Sequence, residues 1–513
     1  MESMGTITKY YPFIDEESKA MLNVLMEGSS SYYDFVKRLS AFVLDNDVSV
    51  NLAYLAAVQA WWARTEDTMK QIQERYREVP CVRPWGHLHA TTGTDQAAHH
   101  DAVVKAIEEA MDCSLEDWMK AELYLLHAFY HWPSHGDIPS LVEPLEKAKD
   151  LIEANPVLNC FEPLVCTFEA MVKRRESDKM GAIPDYQRGQ QIAEARDDSL
   201  YRYMNLIGLA NTLRDLNTQE SLTLFEELYD LALDLQVPYF VAEVLNDSAL
   251  TFETAGEYDL AISCHQEGIK VFGGGDGPSL ILSRIYSALG EGRLALEWAN
   301  DAFQYAENRE IPSLYLRKAW ALAVSDMLEE AEDNLDIAHP LIMRTGGVGE
   351  LAYYYHILGI IEFKRGNLLA ALDFLEQAHE ITEQVTRGIS QSNVLLDLAR
   401  VEIAIDSHSK DGTSGATPGV WLSKLEEHAR ECDYPGVRML AALLRSEFYQ
   451  NHGQLGDAHA TLVDALDITD SLGVKTIRKR ISDRIQELDL LLSEGAVPSK
   501  SETVHRRRSS RSS

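Results

Sequence analysis

Apolar residues recur along most of this chain at intervals of three and four, the period of an α-helix with one buried face. Tyr32–Leu44 is amphipathic in this sense, and Lys475–Leu492 carries Ile477, Ile481, Ile485, Leu488 and Leu491 with charge between them. Asn51–Ala63 is apolar on nearly every side, through Leu52, Ala53, Leu55, Ala56, Ala57, Val58, Trp61 and Trp62, which predicts a helix buried all round. Further helices are predicted at Glu16–Met26, Thr65–Tyr76 and Ala97–Met111, with a long loop over Pro80–Gln96. From Ser114 the helices come in pairs: Leu115–Tyr130 with Ile138–Glu153, Phe161–Lys173 with Tyr186–Arg196, Leu200–Leu213 with Gln219–Leu233. Beyond Thr382, Ser392–Ile405 pairs with Trp421–Arg430 across the Gly/Ser/Thr-rich segment His408–Gly419, and Tyr434–Gln450 pairs with Ala458–Thr469. No strand–helix alternation is visible, so the pattern predicts an all-α protein and argues against a nucleotide-binding sheet.

Between Phe240 and Thr382 the pairs become a repeat. Gly256, Gly290 and Gly366 are each followed five residues later by Ala261, Ala295 and Ala371, and seven further on by Gly268, Ala302 and Ala378. A copy without the glycine reads Asp326, Ala331, Ala338. The central alanines Ala261, Ala295, Ala331 and Ala371 stand 34, 36 and 40 residues apart. Seven residues before the turn position stand Ala249, Ser283, Ala319 and Gly359, small enough for two antiparallel helices to approach closely. A period of this length is that of a helical-hairpin solenoid, in which one hairpin cannot bury its apolar side and must stack.

These residues resemble the tetratricopeptide repeat family, whose pattern has a small residue at the eighth position, Gly near the fifteenth, an aromatic near the seventeenth, and Ala at the twentieth and twenty-seventh. Ala249, Gly256, Tyr258, Ala261 and Gly268 follow it throughout. Gly292 and Leu368 replace the aromatic in two later copies. The resemblance is clearest over 240–382 and weakens outward. It implies a right-handed superhelical solenoid of antiparallel hairpins. The expected organisation is a helical N-terminal region over 1–113, about nine hairpins over 114–470, a capping helix over 474–492 and a disordered basic, Ser-rich tail over 493–513.

Composition changes this picture in one respect. The 513 residues carry 81 Asp plus Glu against 47 Lys plus Arg, a formal net charge of -34. Such a balance keeps a cytoplasmic protein soluble and argues against general nucleic-acid binding; it equally suits a high-salt interior or basic partners. The six cysteines are scattered, as reduced thiols would be. No basic-then-apolar run opens the chain and no stretch of eighteen apolar residues occurs, so neither a signal peptide nor a membrane span is expected.

Candidate chemistry is sparse. His87, His89, His99 and His100 cluster near Cys81 and Asp95, but in no standard zinc spacing. His127 and His131 are four apart, with His135 beyond the helix-ending Pro133. The glycine-rich run Val271–Ser279 lacks the Lys of a phosphate loop and lies between helices, as an inter-repeat linker does. Neither HExxH nor GxSxG occurs. The expectation is a protein with no catalytic activity, no cofactor and no bound metal. A metal-dependent enzyme using the His87–His100 loop is an alternative.

The resemblance places the first helix of each hairpin on the inner groove and maps the groove positions onto Arg202, Asn205, Asn246, Arg284, Trp320, Tyr353, His356, Phe363 and Arg400. Asn205 and Asn246 can each donate and accept, as a clamp on a peptide backbone requires. Trp320, Tyr353 and Phe363 would form an apolar floor, and Arg284 and Arg400 would pair with a carboxylate. The expected role is a cytoplasmic scaffold or adaptor holding a protein or peptide ligand, with no nucleic acid, no membrane, and self-association left open. A peptide-sensing or signalling regulator of transcription is the other alternative.

Overall fold

One turn recurs in closing the hairpins. At the end of the first helix Gly256, Gly290, Gly366 and Gly453 adopt φ of 85°, 81°, 81° and 73°. The following amide then reaches back to a carbonyl five residues earlier: Glu257 to Phe252 at 2.8 Å, Glu291 to Tyr286 at 2.8 Å, Asn367 to Glu362 at 2.9 Å and Gln454 to Tyr449 at 2.9 Å. This satisfies carbonyls that the helix end would leave unpaired. The copy lacking glycine makes the same turn. Asp326 takes φ 61°, and the Met327 amide donates to the Leu322 carbonyl at 3.0 Å. Asp197 and Arg64 do likewise at φ 59° and 53°. Glycine lowers the cost of the turn without being required for it.

The small residues of the repeat are where the helices meet. Ala249, Ala261, Ala295, Ala302, Ala319, Ala331, Ala338, Ala371 and Ala378 have no exposed surface. At Gly359 an added Cβ would come within 2.5 Å of Leu375 Cγ, so a larger residue would force the pair apart.

The computed structural model describes residues 14–87, 96–131, 138–176, 178–214, 216–272, 276–306, 310–345, 347–385, 389–408, 419–431, 434–472 and 475–495. It is a right-handed solenoid of paired antiparallel helices, with no strand among the described residues. Two compact units make it up: residues 1–251 with 261–321, and residues 252–260 with 322–513.

In the first unit the helices Glu16–Glu27, Tyr32–Asp45, Val50–Trp62, Glu66–Arg75 and Gln96–Met111 share one core with the hairpins that follow. Leu52 to Trp62 are buried without a break. Tyr54, Trp61, Trp85, Trp118 and Phe129 pack edge to face, with centroids 5.2 to 5.8 Å apart. The segment expected as a long loop over Pro80–Gln96 begins otherwise. Cys81, Val82 and Trp85 are buried, and Arg83–His87 is a short helix, because these apolar side chains are drawn into the aromatic cluster. Residues 88–95 and the side chains of His87, His99 and His100 lie outside the described residues, and the metal reading with them.

The hairpins Asp117–His131 with Ile138–Ala154, Glu162–Arg175 with Lys179–Ala195, and Ser199–Leu213 with Thr218–Leu235 follow. Lys179–Ala195 starts well before the expected Tyr186. Asp178 caps it by accepting the Gly181 amide at 2.8 Å, and the helix carries Pro184 inside it.

In the second unit Val348–Lys364 pairs with Leu368–Val385, Ile389–His408 with Val420–Glu431, and Pro435–Asn451 with Leu455–Leu472. Their core runs from Ala371 through Leu398 and Leu425 to Phe448. The Glu402 carboxylate accepts the amides of Trp421 and Leu422 at 3.0 and 3.2 Å, satisfying the start of the returning helix. Helix Lys475–Gly495 follows, with Ile481 and Leu488 buried. Leu491, placed by periodicity on the same stripe, is 47% exposed beside exposed Leu490 and Leu492. The tail 496–513 and the segment 409–418 lie outside the described residues.

Candidate functional site

The inner helices of the first unit line a half-open cavity of about 230 Å³. Four consecutive first helices line it. Asp117–His131 gives Phe129; Glu162–Arg175 gives Thr167, Met171 and Arg174; Ser199–Leu213 gives Met204, Ile207 and Asn211; Pro238–Ala255 gives Tyr239, Phe240, Glu243 and Asp247. Tyr186 reaches in from a second helix because Gly208 leaves room: a Cβ there would stand 2.2 Å from Tyr186 Cε1. Trp62 and Arg64 complete the wall.

The turn geometry aims Arg64. Its backbone takes the left-handed closure of the helix Val50–Trp62, and its guanidinium lies over the rings of Trp61 and Tyr239, 4.8 and 5.0 Å from their centroids. The cavity is also lined by two carboxylates one helical turn apart. Glu243 accepts from the hydroxyls of Tyr203 at 2.7 Å and Tyr239 at 3.1 Å. Asp247 Oδ2 accepts from the Asn211 amide at 2.6 Å. Neither carboxylate has a cation within 4.0 Å among the described residues.

Burial and then the neighbouring Asp247 push the Glu243 carboxyl up to about 7, against the Tyr203 hydrogen bond and the Arg64 charge. Burial raises Asp247 as well, opposed by Asn211, Arg214 and Arg174. The negative charge of Glu243, with burial, holds the Tyr239 phenol above its usual range. The cavity therefore joins aromatic walls to two guanidinium groups and two carboxyls that are hard to ionise while it is empty.

The residues expected from sequence lie mostly one face away. Asn205 is fully buried; its amide donates to the carbonyls of Pro163 at 3.0 Å and Tyr201 at 2.9 Å, tying two hairpins together. Asn246 meets His265 Nδ1 at 2.9 Å. Burial, then Arg284, lowers that imidazole to about 3, so it stays neutral. Arg284 itself is 5% exposed and Trp320 3%. Arg202 is ion-paired to Glu194 at 3.3 Å and to Glu227.

In the second unit Tyr353 shares a hydrogen bond with Ser390 at 2.7 Å. His356 and Arg400 both hold Asp397, at 2.8 and 2.6 Å. Burial alone would raise that carboxyl; Arg400 and His356 outweigh it and keep it below the usual range. Phe363 packs against the core of the unit. Thus the structure brings together Asn246 and Arg284 around His265, and His356 and Arg400 around Asp397.

Apart from Glu243, which falls on a groove position of the repeat beside Asn246, the cavity residues on these first helices were missed by a shift of register. Met204, Ile207, Gly208 and Asn211 share one face of Ser199–Leu213; Arg202, Asn205, Leu209 and Thr212 share the next. Tyr239, Glu243 and Asp247, spaced by four, are the signal that sequence alone offered.

No family model matches the chain, and no curated protein matches it. Among solved structures it is similar to a Rap protein complexed with competence and sporulation factor, at 14% identity and a TM-score of 0.38, over 65% of this chain and 99% of that one. It is similar to the apo form of the quorum sensor NprR from B. thuringiensis, at 15% identity and a TM-score of 0.44, over 72% and 99%. Yeast Tom70 matches at 11% identity and a TM-score of 0.33, over 83% and 98%. The chemistry of the site rests on its own residues. Among the described residues no helix is long and apolar enough to cross a membrane, and no three His, Cys, Asp or Glu side chains are grouped to hold a metal ion.

Proposed function

We propose that this chain is a binding protein that holds a short peptide segment in the cavity of its first unit. One observation carries the reading: four successive inner helices converge on a half-open cavity lined by Phe129, Tyr239, Phe240 and Trp62, with a few polar groups among its lining residues. Ligand sites in proteins combine an apolar, largely preformed wall with a small number of oriented polar groups in this way. The aromatic rings supply burial, and Asn211, Thr167 and the charged groups fix orientation. A small pocket with aromatic walls suits a short segment better than a broad protein face. That favours a peptide-sensing regulator over a scaffold for large partners.

The test is selection from a random heptapeptide library with wild type and with Ile207→Trp, which fills the cavity from a half-buried wall position. Wild type should enrich a defined peptide set that the filled variant, still helical by circular dichroism, does not hold. Equal retention by both proteins would sink the cavity reading. Retention on DNA at low salt that changes when a selected peptide is added would support the regulator; peptide binding without it leaves an adaptor.

A further inference from the structure

Glu243 and Asp247 line the cavity from one helix, a turn apart. Half-buried carboxyls usually have cationic partners, because an unpaired charge out of water is costly. Here the near neighbours are neutral donors: Tyr203 and Tyr239 on Glu243, Asn211 on Asp247. Asp247 Oδ1 has no hydrogen-bond partner among the described residues. The two guanidinium groups of the cavity are held elsewhere, Arg64 over two rings and Arg174 on the Tyr186 phenol.

Resting on the peptide-binding reading, we propose that the Tyr239–Glu243–Asp247 face is the subsite for a cationic group of the bound segment, a primary ammonium or a guanidinium. Asp247 Oδ1 and the Glu243 carboxylate accept its N–H donors, and the rings of Tyr239 and Phe240 flank its carbon stem. Arg64 and Arg174, which also line the cavity, take a carbonyl or carboxylate of the same segment. A cation seated beside Glu243 favours the ionised carboxylate, so binding near neutral pH releases a proton from that group. The groups that set this balance are Tyr203, Tyr239, Asp247 and Arg64 around Glu243, and Asn211, Arg174 and Arg214 around Asp247.

The heptapeptide selection is run in two arms, one with free amino termini and one acetylated. The selected peptides should share a cation at one position. If it is the terminal ammonium, enrichment vanishes in the acetylated arm; if it is a Lys or Arg side chain, it survives in both. For the best peptide, Glu243→Gln and Asp247→Asn should each weaken binding at least about tenfold, as loss of one charge-assisted contact would. Calorimetry in two buffers of different ionisation enthalpy should show proton release with wild type and less with Glu243→Gln. Selected peptides with no shared cation, or affinities unchanged in both variants, would overturn the subsite and leave the groove standing. No selection by wild type in either arm would overturn both.

Discussion

Asn205 illustrates how burial decides the role of a polar side chain. On a groove it would clamp a ligand; with no exposed surface and two carbonyls to serve, it links the hairpin Glu162–Arg175/Lys179–Ala195 to the next. Gly189 packs directly against it, since a Cβ there would lie 2.1 Å from its Oδ1. Asn205→Ala should therefore cost about 1–3 kcal/mol of stability through the two lost hydrogen bonds between buried groups, measured by urea unfolding, and leave peptide selection unchanged. Glu243 gives a second expectation at this level. Its folded-state carboxyl holds a proton up to about 7, whereas an unfolded chain releases it in the ordinary carboxylate range. In that window the folded state binds more protons, so stability falls as pH rises through it. Asp198, raised to about 7 by burial, adds a slope of the same sign. Melting temperature should decline between about pH 5 and pH 8, and Glu243→Gln should flatten the decline without abolishing it.

The hairpin is the element that repeats, and its turn sets what can vary. Where the turn residue is glycine, a side chain adds strain: Gly366→Ala, with φ 81° and open space around it, should lose about 1–2 kcal/mol. At Asp326 the reverse substitution removes strain, but it also removes the carboxylate that Lys364 Nζ meets at 2.5 Å. That ion pair is largely exposed and worth little. Asp326→Gly should gain about 0.5–1 kcal/mol, read as a shift in the denaturant midpoint. The alanines are less forgiving. Ala331 is fully buried between two helices, and Ala331→Leu should cost about 1–3 kcal/mol by forcing them apart.

The whole molecule consists of two compact units, each with its own apolar core. In a solenoid each repeat is stabilised mainly by its neighbours, so cooperativity weakens with length. Heat unfolding should depart from two-state behaviour, the calorimetric enthalpy exceeding the van't Hoff value. Asn205→Ala in the first unit and Gly366→Ala in the second should lower different components of the transition. A single transition shifted equally by both would contradict the division. The net charge of -34 bears on the same level. Self-repulsion should make the protein more stable in moderate salt than at low ionic strength, the opposite of what its surface ion pairs alone would give.

Periodicity alone made the helices and their pairing legible, because apolar spacing at three and four is a local signal carried by each segment separately. The small residues at Ala261, Ala295, Ala331 and Ala371 were legible for the same reason: close helix contact excludes anything larger wherever the repeat returns. The turn could be read where glycine stood, and at Asp326 from the repeat spacing, but not at Asp197 or Arg64, since hydrogen bonds rather than residue type hold the chain in that conformation. The groove could be assigned to the first helices, but its face could not. One residue of rotation separates Asn205 from Met204, and only the packing of Pro163 and Gly189 on one side and Tyr186 on the other decides which points inward. Likewise Glu243 and Asp247 are two acids among 81 in the sequence. What sets them apart is their distance from any cation, together with the rings around them, and both depend on helices brought together from far along the chain.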